Sequence, residues 1–335
     1  MHIGFHLTPF FSPAERSPTQ IIDELIQVVR AASGMGYAWV SAPHHWLAHP
    51  TAWPQPYPLL ARLAPESGSM RLKTSVLLLP LLNPVEVAEN IATLDHITHG
   101  RLDLGVALGY REEELQAVGL RRQDRVPKLE ESLHVMKRLW AGEEVTFAGK
   151  YITLDRARLG FLPAQQPHPP IEFGAQSRGA VQRAARLADG IFLGPQVAWR
   201  DVQHLVALYK ETRQEAGHTH LGMLGASRSL IVGRDKADAA TRARDYLAKT
   251  FANYQRWRMQ ERAMVPLQLD FDTPLDDWTI HGSPQDCVEK LLWAQQEVGV
   301  EYIGCTIYSL PTEVQARIDY MQMIAEEVVA KVVQA

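Results

Sequence analysis

Cysteine is nearly absent from this chain: Cys287 and Cys305 are the only two in 335 residues. Two thiols close at most one bridge, which excludes a disulfide-stapled scaffold and leaves both as free structural thiols of a reducing compartment. No run of Lys and Arg is dense enough for a phosphate-backbone footprint, and 38 acidic residues against 34 basic ones give a formal charge of −4. Nucleic acid is therefore not an expected partner. No window approaches the roughly 18 consecutive apolar residues of a membrane span. The opening MHIGFHLTPFF has no basic segment before an apolar core, so no secretory leader and a cytoplasmic location are expected. Three signatures are also missing. There is no Walker Gly-Lys-Ser/Thr turn and no G-x-G-x-x-G, which disfavours ATP and a Rossmann-bound dinucleotide. There is no G-x-S-x-G, which disfavours an α/β-hydrolase nucleophile.

What the chain has is an ordinary globular composition, 46% hydrophobic and 21% charged, and a repeated alternation of strand and helix signals. Strands are expected at 2–7, 37–41, 72–78, 102–107, 171–174, 191–193, 229–232 and 302–306. The run Leu72 to Leu78 is apolar on both faces, as a buried parallel strand should be. Helices follow most of them. Ser17-Pro18-Thr19-Gln20, Asn83-Pro84 and Ser283-Pro284 each pair a capping residue with a proline at the first helical position. Glycines 34, 36, 100, 142, 190 and 299 fall where helices should stop. Eight βα units with no break in composition predict an α/β fold, a single (β/α)8 TIM barrel occupying residues 1–335 as one domain. The surplus length falls in insertions near 42–58, 109–125, 143–170 and 256–281; the last has no readable period and is expected to be irregular.

A barrel of this kind places its ligand site at the C-terminal ends of its strands. That selects His6 and Thr8 after the first strand, His44, His45 and His49 after the second, Ser75 and Val76 on the third, Gly109, Tyr110 and Arg111 after the fourth, and Gly174 to Gly179 after the fifth. In residues 171–190, IEFGAQSRGAVQRAARLADG, a strand runs through a Gly-rich turn into a helix. Such a turn points backbone N–H groups and a helix dipole at an anion, and Ser177 and Arg178 add a hydroxyl and a charge. The alternative is an ordinary βα turn with a serine cap and a solvated arginine. His44, His45 and His49 sit in a long loop dense in Trp and Pro. Adjacent side chains on extended backbone point to opposite faces, so His44 and His45 are poor partners for one ion, and no metal is expected. A general acid or base, or an imidazole that contacts a ligand, suits the loop better; packing on Trp46 or Trp53 alone is the other possibility.

Several stretches, in order, resemble the luciferase-like flavin-dependent monooxygenases, a TIM-barrel family. They are APHHW at 42–46, the run from Val76 to Gly119, RVPKLEESLHVMKRLWAGEEVTFAGKYITL at 125–154, FGAQSRGAVQRAARLADG at 173–190 and HGSPQDCVEKL at 281–291. The resemblance implies reduced FMN as cofactor, with the deazaflavin F420 of a related branch as the alternative. It implies His44 as the active-site histidine, a cis Ser75–Val76 peptide under the flavin ring, Tyr110 and Gly174 beside it, and Gln176, Ser177, Arg178, Gly179 and Ala180 as the phosphate turn. His45, Trp46 and Trp53 would shape a substrate pocket. A separate flavin reductase, O2 and a small organic substrate are the implied partners, and a homodimer the implied assembly. A flavin-binding barrel without catalysis is a third possibility. Two positions depart from the family: Pro43 stands where it carries a glutamate, and Leu108 where bacterial luciferase carries a phosphate-clasping arginine.

Overall fold

A computed structural model describes residues 1–7, 15–256, 274–307 and 311–334. Thr8 and most of the 256–281 insertion lie outside the described residues. Eight parallel strands close into a barrel: β1 (His2–His6), β2 (Trp39–Ala42), β3 (Arg71–Leu78), β4 (Leu102–Ala107), then β7 (Ile171–Ala175), β8 (Gly190–Leu193), β9 (Met223–Val232) and β11 (Tyr302–Thr306). The sheet order runs β9-β11-β1-β2-β3-β4-β7-β8, and pairing of β8 with β9 closes the ring. The missing members, β5 (Val145–Ala148) and β6 (Thr153–Ala157), form an antiparallel hairpin outside the barrel. The expected (β/α)8 barrel is therefore the observed fold.

Local chemistry accounts for the elements around it. Helix α1 (Pro18–Ala32) starts from a reciprocal box in which the Ser17 hydroxyl accepts from Gln20 N–H and the Gln20 side chain accepts from Ser17 N–H. It buries Ile21, Leu25, Val28 and Val29 against the strands. α2 (Pro56–Leu63) follows the histidine loop. α3 (Pro84–Ile97) is capped by the Asn83 side chain, which accepts from Val85 N–H, and buries Val87, Ala88, Ile91 and Leu94. α5 (Arg125–Trp140), α6 (Arg178–Leu187), α7 (Trp199–Glu215), α8 (Lys236–Arg256), α9 (Pro284–Trp293) and α10 (Val314–Ile324) complete the outer ring. Most β4 residues are fully buried, as a strand covered on both faces requires.

The structure differs from the sequence reading in two places. The 109–125 loop contains a short helix, α4 (Glu112–Ala117), which buries Glu114 and Leu115. The 256–281 stretch ends in a strand, β10 (Thr279–Gly282), not in irregular chain. β10 adds to the far half of β9, with Thr279 opposite Ser229 and Gly282 opposite Val232. This explains why β9 has ten residues where four were expected: its successive parts pair with β8, β11 and β10. A four-residue strand has too few positions to show a period against its flanks.

Candidate active site

The C-terminal ends of the strands surround a cavity of about 360 Å³. Each wall segment belongs to a different βα unit: His6 on β1, His44 and His45 after β2, Ser75, Val76 and Leu78 on β3, Leu108 to Tyr110 after β4, and Gly174 to Ser177 at β7. Tyr246, Leu247 and Thr250 of α8 and Trp278 close the rim. Of the residues expected from the sequence, His44, His45, Trp53, Ser75, Val76, Tyr110, Gly174, Gln176, Ser177 and Ala180 line this cavity. The Ser75–Val76 peptide is cis. Gly174 packs closely beside it: a Cβ there would stand 3.0 Å from Val76 Cγ1, tighter than ordinary van der Waals contact.

Five expected residues are outside the wall: Trp46, His49, Arg111, Arg178 and Gly179. Trp46 is not in the cavity wall; it packs on the cluster of Leu78, Leu81 and Leu115, and its indole N–H donates to Gln55 Oε1 at 3.1 Å. That apolar cluster and the Gln55 bond hold the side chain outside the wall. Arg178 is exposed at the first position of α6, outside the wall, and Gly179 borders a neighbouring surface depression instead. The helical turn carries residue 178 to the solvent side while Ser177 and Ala180 face the cavity.

The two histidines are held in opposite ways. His44 is 3% exposed, and its Nδ1 accepts the Leu78 backbone N–H at 3.1 Å. Nδ1 must then carry the lone pair, so neutral His44 holds its proton on Nε2. Burial, then the neighbouring His45, push its pKa down to about 4, against smaller opposing effects of Glu114 and Gln55. His45 Nδ1 lies 2.9 Å from Glu114 Oε1. A carboxylate only accepts, so here Nδ1 donates. The same oxygen accepts from Trp46 N–H at 3.0 Å, and the Arg111 guanidinium is 3.4 Å away. Arg111 in turn donates to the Leu47 carbonyl at 2.9 Å. The edges of Trp53 and Tyr110 flank His45, with ring centroids 5.0 and 5.7 Å from it.

Glu114 was not singled out in the sequence, where it is one of three consecutive glutamates. Nothing local separates it from Glu112 and Glu113: its burial follows from how the short helix α4 docks, with Glu114 and Leu115 both inward.

Beneath the cavity the barrel interior is polar. His6 Nδ1 bonds the Ser41 hydroxyl at 2.7 Å, and its Nε2 meets the Ser227 hydroxyl at 3.1 Å. Burial, and secondarily the charge of Lys73, hold the His6 pKa down at about 3. The Lys73 ammonium pairs with Glu172, and the Tyr302 hydroxyl donates to the same carboxylate. The rings of Trp39, Phe192 and Tyr302 stand 5.0, 4.7 and 4.6 Å from the ammonium. This cluster compensates a charge that burial would otherwise expel.

The α6 side of the cavity suits an anion. Ser177 precedes α6, but its side chain makes no capping bond, so the N–H groups of the first turn have no side-chain cap. Arg125 and Arg183 line the wall nearby. Arg125 is fixed by bonds to the carbonyls of Arg122 and Gly109, and Arg183 by Glu130 at 3.0 Å. Arg125 is the first residue of α5, two positions before the proline at which a helix start is legible in the sequence. An uncapped helix start, a hydroxyl and two guanidiniums fit a phosphate, and the apolar wall over Val76 fits a flat ring. Among the described residues no group of three or more His, Cys, Asp or Glu side chains is placed to hold a metal ion.

A family profile described as luciferase-like monooxygenase matches residues 1–302. Among solved structures, the chain resembles monooxygenase RslO1 from Streptomyces bottropensis, with TM-score 0.86 and 23% identity over 98% of this chain and 99% of that one. It resembles the oxygenating constituent of 3,6-diketocamphane monooxygenase from Pseudomonas putida, solved in complex with FMN, with TM-score 0.80 and 20% identity over 99% and 98%. It also resembles the coenzyme F420 dependent tetrahydromethanopterin reductase of Methanopyrus kandleri, with TM-score 0.71 and 18% identity over 98% of both chains.

Proposed function

Because the chain belongs to the luciferase-like monooxygenase family, we propose that it is a two-component flavin monooxygenase that oxygenates a small organic substrate with reduced FMN and O2. The observation that carries this reading is one cavity whose wall holds both the cis Ser75–Val76 peptide and an uncapped, hydroxyl-bearing helix start. A flat apolar wall and an anion site in one cavity suit a ring joined to a phosphate.

In this reading Ser177, Gln176, Ala180 and the first N–H groups of α6 hold the phosphate, with Arg125 and Arg183 completing its charge balance. Val76, Gly174 and Tyr110 hold the ring. Reduced FMN, delivered by a separate reductase, supplies the electrons for O2 activation. The chain's own contribution is to position the substrate and exclude water. His44 belongs to the wall beside the ring, and His45 and Trp53 to the substrate side. No described helix is long and apolar enough to cross a membrane. The chain acts as one domain, as a homodimer, in the cytoplasm.

A second reading replaces FMN by F420 and oxygenation by hydride transfer. It is favoured by the F420-dependent reductase that shares the fold over nearly the whole chain. One experiment separates the two. The protein is mixed with reduced FMN under air, or with reduced F420 without oxygen, alongside a panel of small apolar amines, sulfur compounds and terpenoids. Substrate-dependent oxygen consumption with FMN supports the first reading; anaerobic oxidation of F420 alone replaces it with the second.

A further inference from the structure

One side of the cavity has no part in the proposed cofactor site. β9 and β11 lie halfway round the ring from β3 and β4, so the residues they contribute to the wall stand across the cavity from the cis Ser75–Val76 peptide. We propose that Ser229 and Thr306, with Ser227 beneath them, bind the carbonyl oxygen of an uncharged substrate. The inference rests on the proposed function in treating the cavity's guest as a substrate, and it names that substrate's chemical class.

Strand register brings these hydroxyls together. Ser229 and Thr306 are Cα partners on neighbouring parallel strands, which run about 4.8 Å apart. Ser227, two positions back along β9, points to the same side, and all three residues line the cavity. Among the described residues neither the Ser229 nor the Thr306 hydroxyl has a hydrogen-bond partner. Ser227 is aimed by what lies behind it. Ser41 is fully buried, and its hydroxyl bonds His6 Nδ1 at 2.7 Å and no other group among the described residues. If Ser41 accepted from Nδ1, its own proton would be buried without an acceptor; Ser41 therefore donates and Nδ1 accepts. Burial, and then the charge of Lys73, keep the ring neutral, so its one proton is on Nε2 and goes to the Ser227 oxygen at 3.1 Å. The Ser227 proton is then left for the cavity. Gly304 gives the ring its room, since a Cβ there would stand 2.3 Å from Nε2.

Charge decides what these donors take. Among the described residues no Asp or Glu lines the cavity, and Lys73 beneath it is paired with Glu172. An ammonium group would lose its water there without gaining a carboxylate. The guanidiniums of the wall, Arg122, Arg125 and Arg183, all follow β4 or β7, and an anion is drawn to that side. The three hydroxyls are left for an uncharged acceptor. A carbonyl oxygen fits them, because its two lone pairs lie in one plane on either side of the C=O axis and can take one hydroxyl from each strand. Phe173 and Phe192 in the same wall suit an apolar frame around that carbonyl.

Infrared difference spectra of carbonyl-labelled cyclohexanone bound to the full chain read the contact directly, because hydrogen bonds to the oxygen lower the C=O stretch. The band should lie below its position in hexane. It should move back toward that position in Ser229→Ala and in Thr306→Val, and reach it when both are combined with Ser227→Ala. Each single variant should weaken cyclohexanone about 5-fold, the loss of one neutral hydrogen bond, and leave methylenecyclohexane, of the same shape without the oxygen, no weaker. Long-range nitrogen–carbon NMR correlations should show His6 as the Nε2–H tautomer, and saturable binding of the ketone should persist with FMN present. A wild-type band at the hexane position, equal weakening of the two probes, an Nδ1–H tautomer of His6, or no saturable binding of the ketone overturns the inference. So does displacement of the ketone by FMN, which would give the hydroxyls to the ring's own carbonyls. The wild-type measurements need no variant to fold. A titration with FMN on the same samples separates the two claims: failure to bind FMN removes the cofactor reading and leaves the shifted ketone band as it is.

Discussion

A buried imidazole is defined by what each of its nitrogens touches, and three histidines here have different assignments. His6 and His44 are kept neutral by burial, with pKa values near 3 and near 4, whereas the unfolded chain titrates near 6.5. Between pH 6.5 and about 4 the unfolded chain therefore binds protons that the folded chain refuses. Stability is full above pH 6.5 and falls as the pH drops. The expected loss is about 2 kcal/mol per histidine at pH 5. Urea unfolding at pH 7 and pH 5 checks this, and His6→Gln should remove roughly half of the difference. A profile flat from pH 7 to pH 5 would contradict it. His44→Ala should cost about 1–3 kcal/mol, because it orphans the Leu78 N–H in a dry site. His44→Asn, with an acceptor of its own, should cost less. These roles were only partly legible in the sequence. The pair His44-His45 was visible as chemistry-bearing, but which ring faces Glu114 depends on a residue 69 positions away. No local pattern encodes such a contact.

Individual elements were easier to read, because caps and stops are local. Ser17 and Ser283 both form the reciprocal boxes that their spacing implies. Ser177 looks the same in sequence, preceding a helix, yet makes no capping bond. The difference predicts opposite phenotypes. Ser283→Ala should lower stability by about 1 kcal/mol in urea unfolding, through loss of a cap. Ser177→Ala should leave stability within about 0.5 kcal/mol. It should instead weaken FMN about 10-fold and leave riboflavin, which lacks the phosphate, unchanged, since a hydrogen bond to a charged group is worth about 1.5–3 kcal/mol. Equal weakening of both flavins would show that Ser177 does not face a phosphate. The elements that escaped the sequence reading are those defined by partners rather than by period. α4 is only six residues long, and β10 exists because the end of β9 offers it an open edge. Arg178 and Arg125 show the same limit: which arginine reaches the cavity depends on the turn of a helix and on the loop before another.

At the scale of the molecule, the barrel was the most legible feature, since eight strand signals separated by helices leave few topologies open. Its interior was not legible. Lys73 sits in a strand expected to be buried on both faces, and its compensation by Glu172 and three aromatic rings comes from four other strands. Breaking that pair should be costly. Lys73→Met should destabilise by about 3–5 kcal/mol, since it leaves Glu172 buried and uncompensated, whereas Lys73→Met with Glu172→Met should recover most of the loss. Thermal and urea unfolding of the single and double variants decide this; equal instability of both would mean that the charges matter less than the space they fill. The closed ring and its polar floor give the cavity fixed walls, and the account rests on what those walls hold. The most direct measurement is an anaerobic fluorescence titration of the purified chain with oxidised and reduced FMN. The account predicts saturable binding at one flavin per chain, with riboflavin weaker. Absence of binding to FMN in both redox states would contradict it.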